Sequence, residues 1–478
     1  MTELIEERNG PMRDARPDGA AAAGYASLLR GESGRMLALI SSGIGLHAFN
    51  QFAIVSAMPL AAAELDGRDW YSWVYSLYFI GSIAGGTAAA SVRDRLGVRM
   101  SLALACLVFT FGGLVAFVAP AFGWIVVGRL LQGVADGLIV AICYSLIPAN
   151  FASPLIARVF AVEATVWAVT ALLGPLIGGL ITEATSWRFS FLAVAPFLVT
   201  LALFTALAEP KTSGGRAASF APVSVGLCVL TALIFALSSA SAEPLWQAAL
   251  LVIGIVALLS VGVLDGRFGA RLFPAGSFRS GSVLGRAFLI LFLMSAGHSA
   301  GSTYLALFAS DVFGLGPAVV GYVVVTMAIS WSLVAMFASR YEAFAWRNAT
   351  MWLGPLFLLA GFAAIAIAIG LNWLPLIVFG QALVGAGFGL AWANVNEAAM
   401  DAADPQDRDL ASALLPTMST AGYAVGAALS GTIATATGLT ASLSTGSAGD
   451  TATWLYGTAA LGALVSFALG FGVKLKRS

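Results

Sequence analysis

Asp136 stands in the middle of an apolar stretch, 121–147, where a charge costs most and is therefore most informative. Arg129 lies seven residues earlier, two helical turns away on the same helix face, with Gln132 between them. At 1.5 Å per residue the two charges stand ~10 Å apart along the axis, too far for an ion pair. Each then needs a partner on another helix, from water or from a bound molecule. The chemistry this permits is proton transfer, with Asp136 as the proton-coupling carboxylate and Arg129 as the charge that responds when Asp136 is neutralised. Glu163 is a third candidate, as gate or relay; its plainer reading is an acid that satisfies a helix start.

His47 and Asn50 fall at a similar depth in the stretch 36–60, and His298 does so in 285–309. Histidine titrates in the working pH range, so both can relay a proton or bind a substrate. The plainer reading is a structural histidine hydrogen-bonded inside a bundle. With Gln132, Trp392, Asn394 and Asn396 they make up the expected substrate cavity, although the two asparagines suit interhelical hydrogen bonding equally well.

The elements that must position these groups are membrane helices. The chain is 59% hydrophobic and 10% charged, against about 25% charged in soluble domains. Runs of about 20 apolar residues suffice to cross a bilayer, and fourteen such runs are read between residues 36 and 473. With the N-terminus inside and the spans alternating, the outside loops carry only Arg68 and Arg188 of the 24 Lys and Arg. That asymmetry meets the positive-inside rule and places both termini in the cytoplasm of a bacterial inner membrane. Residues 1–34 are polar and lack the apolar core of a signal peptide; they read as a cytoplasmic tail. Net charge is zero, which argues against nucleic acid as a partner. Cys106, Cys143 and Cys228 sit in apolar runs as packing residues, and two histidines are too few for a His-rich metal site, so no metal or other cofactor is expected.

The chain repeats itself. Gly128–Leu138 resembles Gly380–Leu390, and Ser91, Asp94 and Arg99 have counterparts in Ser339, Glu342 and Arg347. The expected domains are therefore a six-helix bundle over 35–210, a linker with two extra spans over 211–280, and a second six-helix bundle over 281–478. Paired halves with a site between them are how alternating-access transporters are built. The two extra spans, with few polar side chains, are expected to pack peripherally or face lipid.

Four motifs carry a resemblance. The loop Ala90–Arg99 resembles Gly-x-x-x-Asp-Arg-x-Gly-Arg-Arg, with Asp94, Arg95, Gly97 and Arg99 in place and Ala90 where the pattern has Gly. Arg129-Leu130-Leu131-Gln132-Gly133 matches Arg-x-x-Gln-Gly, and Gly174-Pro175-Leu176-Ile177-Gly178-Gly179 matches Gly-Pro-x-x-Gly-Gly. Trp187-Arg188, with Trp73 and Tyr78, completes the set. On these motifs the chain resembles the major facilitator superfamily, and within it the fourteen-helix drug:proton antiporters. The resemblance implies an all-α polytopic fold, no enzymatic activity and a monomer. It implies conformational latches at Asp94, Arg95, Gly97, Arg99, Glu342 and Arg347, and exporter character at Gly174, Pro175, Gly178 and Gly179. One departure counts: where members often carry an Asp nine residues before a Pro in the first span, this chain has Asn50 before Pro59. A role of that Asp in ion coupling does not transfer.

The leading expectation is proton-coupled efflux of amphipathic or cationic small molecules. The alternatives are symport or uniport of a polar metabolite or lipid, and a receptor that transports nothing. Gly297-His298-Ser299-Ala300-Gly301 fits the hydrolase elbow but lies inside an apolar helix rather than a strand–turn–helix. No phosphate-binding loop and no zinc-protease motif occur, so direct use of ATP is not suggested.

Overall fold

A computed structural model of the chain describes residues 28–475, apart from 152, 211–221, 241–242, 266, 268–272, 280, 342, 405, 440–442 and 444–447. Most of the expected tail, and the latch candidate Glu342, lie outside the described residues.

The first half comprises α1 (Gly31–Glu64), α2 (Trp73–Phe117), α3 (Phe122–Asn150), α4 (Ser153–Ala184) and α5 (Ala195–Leu207). An inserted hairpin follows, α6 (Pro222–Ala240) and α7 (Pro244–Leu264). The second half comprises α8 (Val283–Ser302), the short α9 (Leu305–Asp311), α10 (Pro317–Ala338), α11 (Phe344–Gly370), α12 (Leu374–Ala402), α13 (Arg408–Ala436) and α14 (Ala448–Gly470). Among the described residues there is no strand.

Helix α2 holds 45 residues, which as one rod would be about 68 Å long, over twice the hydrocarbon core of a bilayer. Gly97, at φ 78°, breaks it. That left-handed backbone costs glycine nothing and other residues strain. The chain folds back there, so Gly81 on one arm and Gly112 on the other both lie against the backbone of α3 around Gly128–Val134. Among the described residues, eleven helices are long and apolar enough to cross a membrane when both arms of α2 count as one. Helix α13 falls outside that count because Ser, Thr and Gly recur along it. Helix α6 contributes only a shorter apolar segment.

The two halves meet at one end. One apolar core lies wholly within residues 28–208. The larger core joins the second half to the first through segments near Ile54–Ala62, Tyr71–Ile83 and Ala116–Val126, which cluster around the same end. There Arg68 Nη2 donates to Asp311 Oδ2 at 2.7 Å, and Tyr71 stacks on Tyr304 at 5.4 Å between ring centroids. Glu183 Oε1 accepts from the backbone N–H of Ala318 at 3.2 Å, so an acid of the first half satisfies an orphan donor at the start of α10. At the opposite end the polar contacts among the described residues stay within a half. Arg35 and Arg99 donate to the carbonyls of Leu207 and Ala208, and Arg347 pairs with Glu397. Among the described residues, the polar contacts between the halves gather at one, sealed, end.

The inserted hairpin is not merely peripheral. It packs against α2 and α13. Ser238 and Thr432 share a hydrogen bond of 2.6 Å, Gln247 Nε2 donates to the Thr432 carbonyl at 3.1 Å, and Thr435 Oγ1 donates to the Ser239 carbonyl at 3.0 Å. Buried polar groups need partners, and Ser238 and Gln247 of the hairpin find theirs on α13. Its outward faces are apolar, with Leu245, Trp246, Val256 and Leu259 exposed as a lipid-facing surface requires.

Candidate functional site

The first half gathers a buried polar cluster at mid-depth. His47, Asn50 and Gln51 share one face of α1, because residues three and four apart in a helix align. Arg129, Gln132 and Asp136 share one face of α3 by the same geometry. Packing α1 against α3 brings the rows together: His47 Nδ1 and Asp136 Oδ2 lie 2.7 Å apart. On its other side His47 Nε2 meets Gln51 Nε2 at 2.9 Å. With the amide nitrogen donating there, Nε2 accepts, so the ring proton sits on Nδ1 and is donated to the Asp136 carboxylate. Asp136 is fully buried, whereas the His47 side chain is 18% exposed. A proton arriving at His47 turns Nε2 into a donor and forces Gln51 to present its oxygen instead. This chain can therefore hold one proton more or fewer by turning a single amide.

Arg129 is buried beside this chain without forming an ion pair to Asp136. Its Nη1 donates to Asn50 Oδ1 at 3.2 Å and to Gln132 Oε1 at 3.0 Å. Its guanidinium lies 3.9 Å from the centre of the Tyr78 ring. The Tyr78 hydroxyl is buried without a hydrogen-bond partner among the described residues. Two amide oxygens and an aromatic face stand in for the missing carboxylate; cation–π attraction is strongest when desolvated, as here. Glu163, also buried, accepts from Ser41 Oγ at 2.7 Å through Oε1. Its Oε2 has no hydrogen-bond partner among the described residues. An acid placed this way carries a desolvation cost that a proton or a cationic ligand relieves.

In the second half His298 is flanked edge-on by Phe388 at 5.7 Å and Tyr423 at 6.0 Å, and its Nδ1 has no partner among the described residues. Trp392 packs with Trp331 and Phe388. The two asparagines are hydrogen-bonded within the second half. Asn394 Oδ1 accepts from Arg347 Nε at 3.1 Å and its Nδ2 donates to Thr350 Oγ1 at 2.9 Å. Asn396 Nδ2 donates to its own helix, to the Trp392 carbonyl at 2.7 Å. Asn394 thus sits beside the latch candidate Arg347, because the same turn of α12 that carries it also carries Glu397.

The motif residues fall at joints. Gly174 and Gly178 let α4 approach Phe52 and Ala53 of α1, while Gly179 and Pro175 meet Ala318 and Gly321 of α10 across the seam between halves. Asp94 pairs with its neighbour Arg93 at 3.2 Å, and Arg93 also reaches Ser145 Oγ at 3.1 Å. Arg95 is exposed, and Gly97 is the break in α2. Among the described residues the hydrogen bonds of this loop stay within the first half. A cleft of about 470 Å³ at the sealed end, lined in part by Leu60, Glu64 and Thr182, is a poor rival site. Its acid, Glu64, is already bonded to Arg188 and Trp187.

Gln51, Ser41 and Glu183 escaped the sequence reading. The position of Gln51 four residues after His47 was an available signal; the pairings of Ser41 and Glu183 depend on other helices.

A profile of the Major Facilitator Superfamily matches residues 40–426. A probable multidrug-efflux transporter of Mycobacterium tuberculosis is 28% identical over 412 residues, covering 83% of this chain and 86% of the relative. The multidrug efflux pump SdrM of Staphylococcus aureus is 21% identical over 348 residues, covering 72% and 77%. Among solved structures, a D-xylose–proton symporter superposes with a TM-score of 0.65 at 14% identity, covering 92% of this chain and 99% of the other. An auto-inhibited peptide transporter of the POT family also gives 0.65, at 15% identity and coverage of 92% and 96%. At such identities these structures speak for the fold alone.

Proposed function

The chain belongs to the Major Facilitator Superfamily, and we propose that it works as a proton-coupled exporter of amphipathic or cationic small molecules. It is a multi-pass membrane transporter and not an enzyme. The observation that carries the proposal is the hydrogen-bonded chain from the buried Asp136 through the part-exposed His47 to Gln51, beside an Arg129 with no ion pair among the described residues. Multidrug-efflux relatives support the direction and the substrate class.

In this reading the chain crosses the membrane fourteen times, with both arms of α2, α6 and α13 among the spans. The halves 35–210 and 281–478 flank the linker 211–280, both termini are cytoplasmic in the bacterial inner membrane, and the monomer is the working unit. The sealed end then faces outward, and the opposite end opens to the cytoplasm. The proton leaves Asp136–His47 inward as substrate enters. The halves rock, the contacts Arg68–Asp311 and Glu183–Ala318 release, and a proton from outside displaces the substrate. Arg129 feels each change of charge through Tyr78 and Asn50, and Glu163 is the second acid on the route.

The test is uptake of a fluorescent lipophilic cation by everted vesicles under an imposed pH gradient. Gradient-dependent uptake lost in Asp136→Asn is expected. Uptake that survives moves the proton site to Glu163 or a histidine. No uptake by the wild type removes the multidrug reading and favours metabolite or lipid transport.

A further inference from the structure

The inserted hairpin stands between the halves in the chain, yet its bonds favour one of them. Three hydrogen bonds join it to another helix, and each ends on α13: Ser238 with Thr432, Gln247 with the Thr432 carbonyl, and Thr435 with the Ser239 carbonyl. The last of these satisfies an orphan carbonyl in the final turn of α6. Beyond α7 the chain returns to the other end of the same helix. Asp265 Oδ2 accepts from the backbone N–H of Phe273 at 2.9 Å, which folds the segment back on itself. Asp407, the residue before α13, then accepts from the backbone N–H of Ala275 at 3.0 Å. Asp407 and Thr432 are 25 residues apart, roughly 38 Å along a helix. A segment tied at two points so far apart cannot pivot on α13.

The join to the first half is of another kind. Helix α6 also lies against α2, and Trp73, Val74 and Leu77 of α2 share an apolar core with Phe235 and Ala236 of α6. The three elements converge at Gly431, where a Cβ would stand 2.8 Å from the Cβ atoms of Ser72 and of Ser239. Ser72 Oγ is buried at this junction without a hydrogen-bond partner among the described residues, so it does not bond the hairpin.

A bilayer treats the two joins differently. Pulling the hairpin from α13 would strand Gln247, Thr435 and the Ser239 carbonyl in hydrocarbon, where unpaired polar groups are costly. Pulling it from α2 exchanges apolar side chains for lipid tails, which are equally apolar. We propose that the hairpin belongs to the second moving body, which begins at α6 rather than α8. It walls the seam between α2 and α13, and it parts from α2 but not from α13 when the outer end opens. This rests on the rocking of the halves in the efflux reading.

The experiment is pulsed electron spin resonance on the full chain, freed of its native cysteines and spin-labelled in pairs. The label sites are Asp66→Cys on the first half, Leu371→Cys on the second and Trp246→Cys on the hairpin, all exposed. The outer end is opened from the other seam, away from the hairpin, by Gly179→Ala, which drives a Cβ into the Ala318 backbone between α4 and α10. The combined change Arg68→Ala and Glu183→Ala removes polar contacts across the sealed end without overpacking, and it serves if Gly179→Ala does not fold. The distances Asp66–Leu371 and Asp66–Trp246 are expected to lengthen together, while Trp246–Leu371 keeps its distribution. If Trp246–Leu371 lengthens and Asp66–Trp246 holds, the hairpin belongs to the first half and the proposal is overturned. A change in all three makes the hairpin a third body and overturns it equally. An Asp66–Leu371 distance that stays fixed in both variants removes the rocking itself, and the moving wall with it.

Discussion

Gly431→Ala is expected to pry open the sealed end. Gly431 lies on α13 where three segments converge: Ser72 of the first half, Ser239 of the inserted hairpin, and α13 itself. A Cβ there would stand 2.8 Å from the Cβ atoms of both serines, against 3.4–4 Å for ordinary contact, so 0.6–1.2 Å must be made up. The Ser72 hydroxyl would be closer still, but it sits at the end of a side chain that can turn. Ser239 cannot easily retreat, because its carbonyl accepts from Thr435 and its neighbour Ser238 is bonded to Thr432. Ser72 gives way, and with it the start of α2. Overpacking of this kind costs about 1–3 kcal/mol, which reduces the sealed population about 5–150-fold relative to the open one. Spin labels at Asp66→Cys and Leu371→Cys, both exposed at the sealed end on opposite halves, report it as a longer inter-label distance in a chain freed of its native cysteines. Gly457→Ala is the control, since nothing lies within 4 Å of its Cβ. Identical distance distributions for the two variants would refute the reasoning.

Arg68→Ala breaks a partly exposed ion pair, 36% and 17% exposed on its two sides. Such pairs contribute about 0–1 kcal/mol, so the same labels should report a shift of at most about fivefold; a shift as large as that of Gly431→Ala would show the pair to be the main fastening. Gln51→Leu takes the donor from His47 Nε2 and releases the ring from its single tautomer, so the pH profile of transport should move; an unmoved profile would remove Gln51 from the proton chain. Asn394→Ala deletes contacts to Arg347 and Thr350, which should lower thermal stability by about 1–3 kcal/mol and leave substrate affinity alone. Weaker binding at unchanged Tm would return Asn394 to the cavity. Gln247→Leu deletes the extra hydrogen bond from the hairpin to the Thr432 carbonyl and should cost about 1 kcal/mol of stability without changing the ratio of sealed to open forms; a changed ratio would show that the hairpin does not ride with α13.

The sequence by itself determined that the chain lives in a membrane, that its halves repeat, and which side chains are too polar for their surroundings. These are properties of composition and spacing: apolar length, loop charge, and charges such as Asp136 and Arg129 inside long apolar runs. The separation of those two charges was also legible, because helical rise is constant. Tertiary structure alone decided their partners, since Asp136 meets His47 from 89 residues away and Arg129 meets Asn50 from 79. Spacing within one helix says nothing about which other helix arrives opposite. For the same reason the sequence left Asn394 open between cavity and interhelical bonding until Arg347 and Thr350 were seen beside it, and it could not say that the hairpin, expected to pack peripherally or face lipid, bonds to α13 on its inner side. The aromatic contacts show the limit most plainly. Phe79, His298, Trp331, Phe388, Trp392 and Tyr423 come from five helices, and no periodicity of any one helix announces that their rings converge.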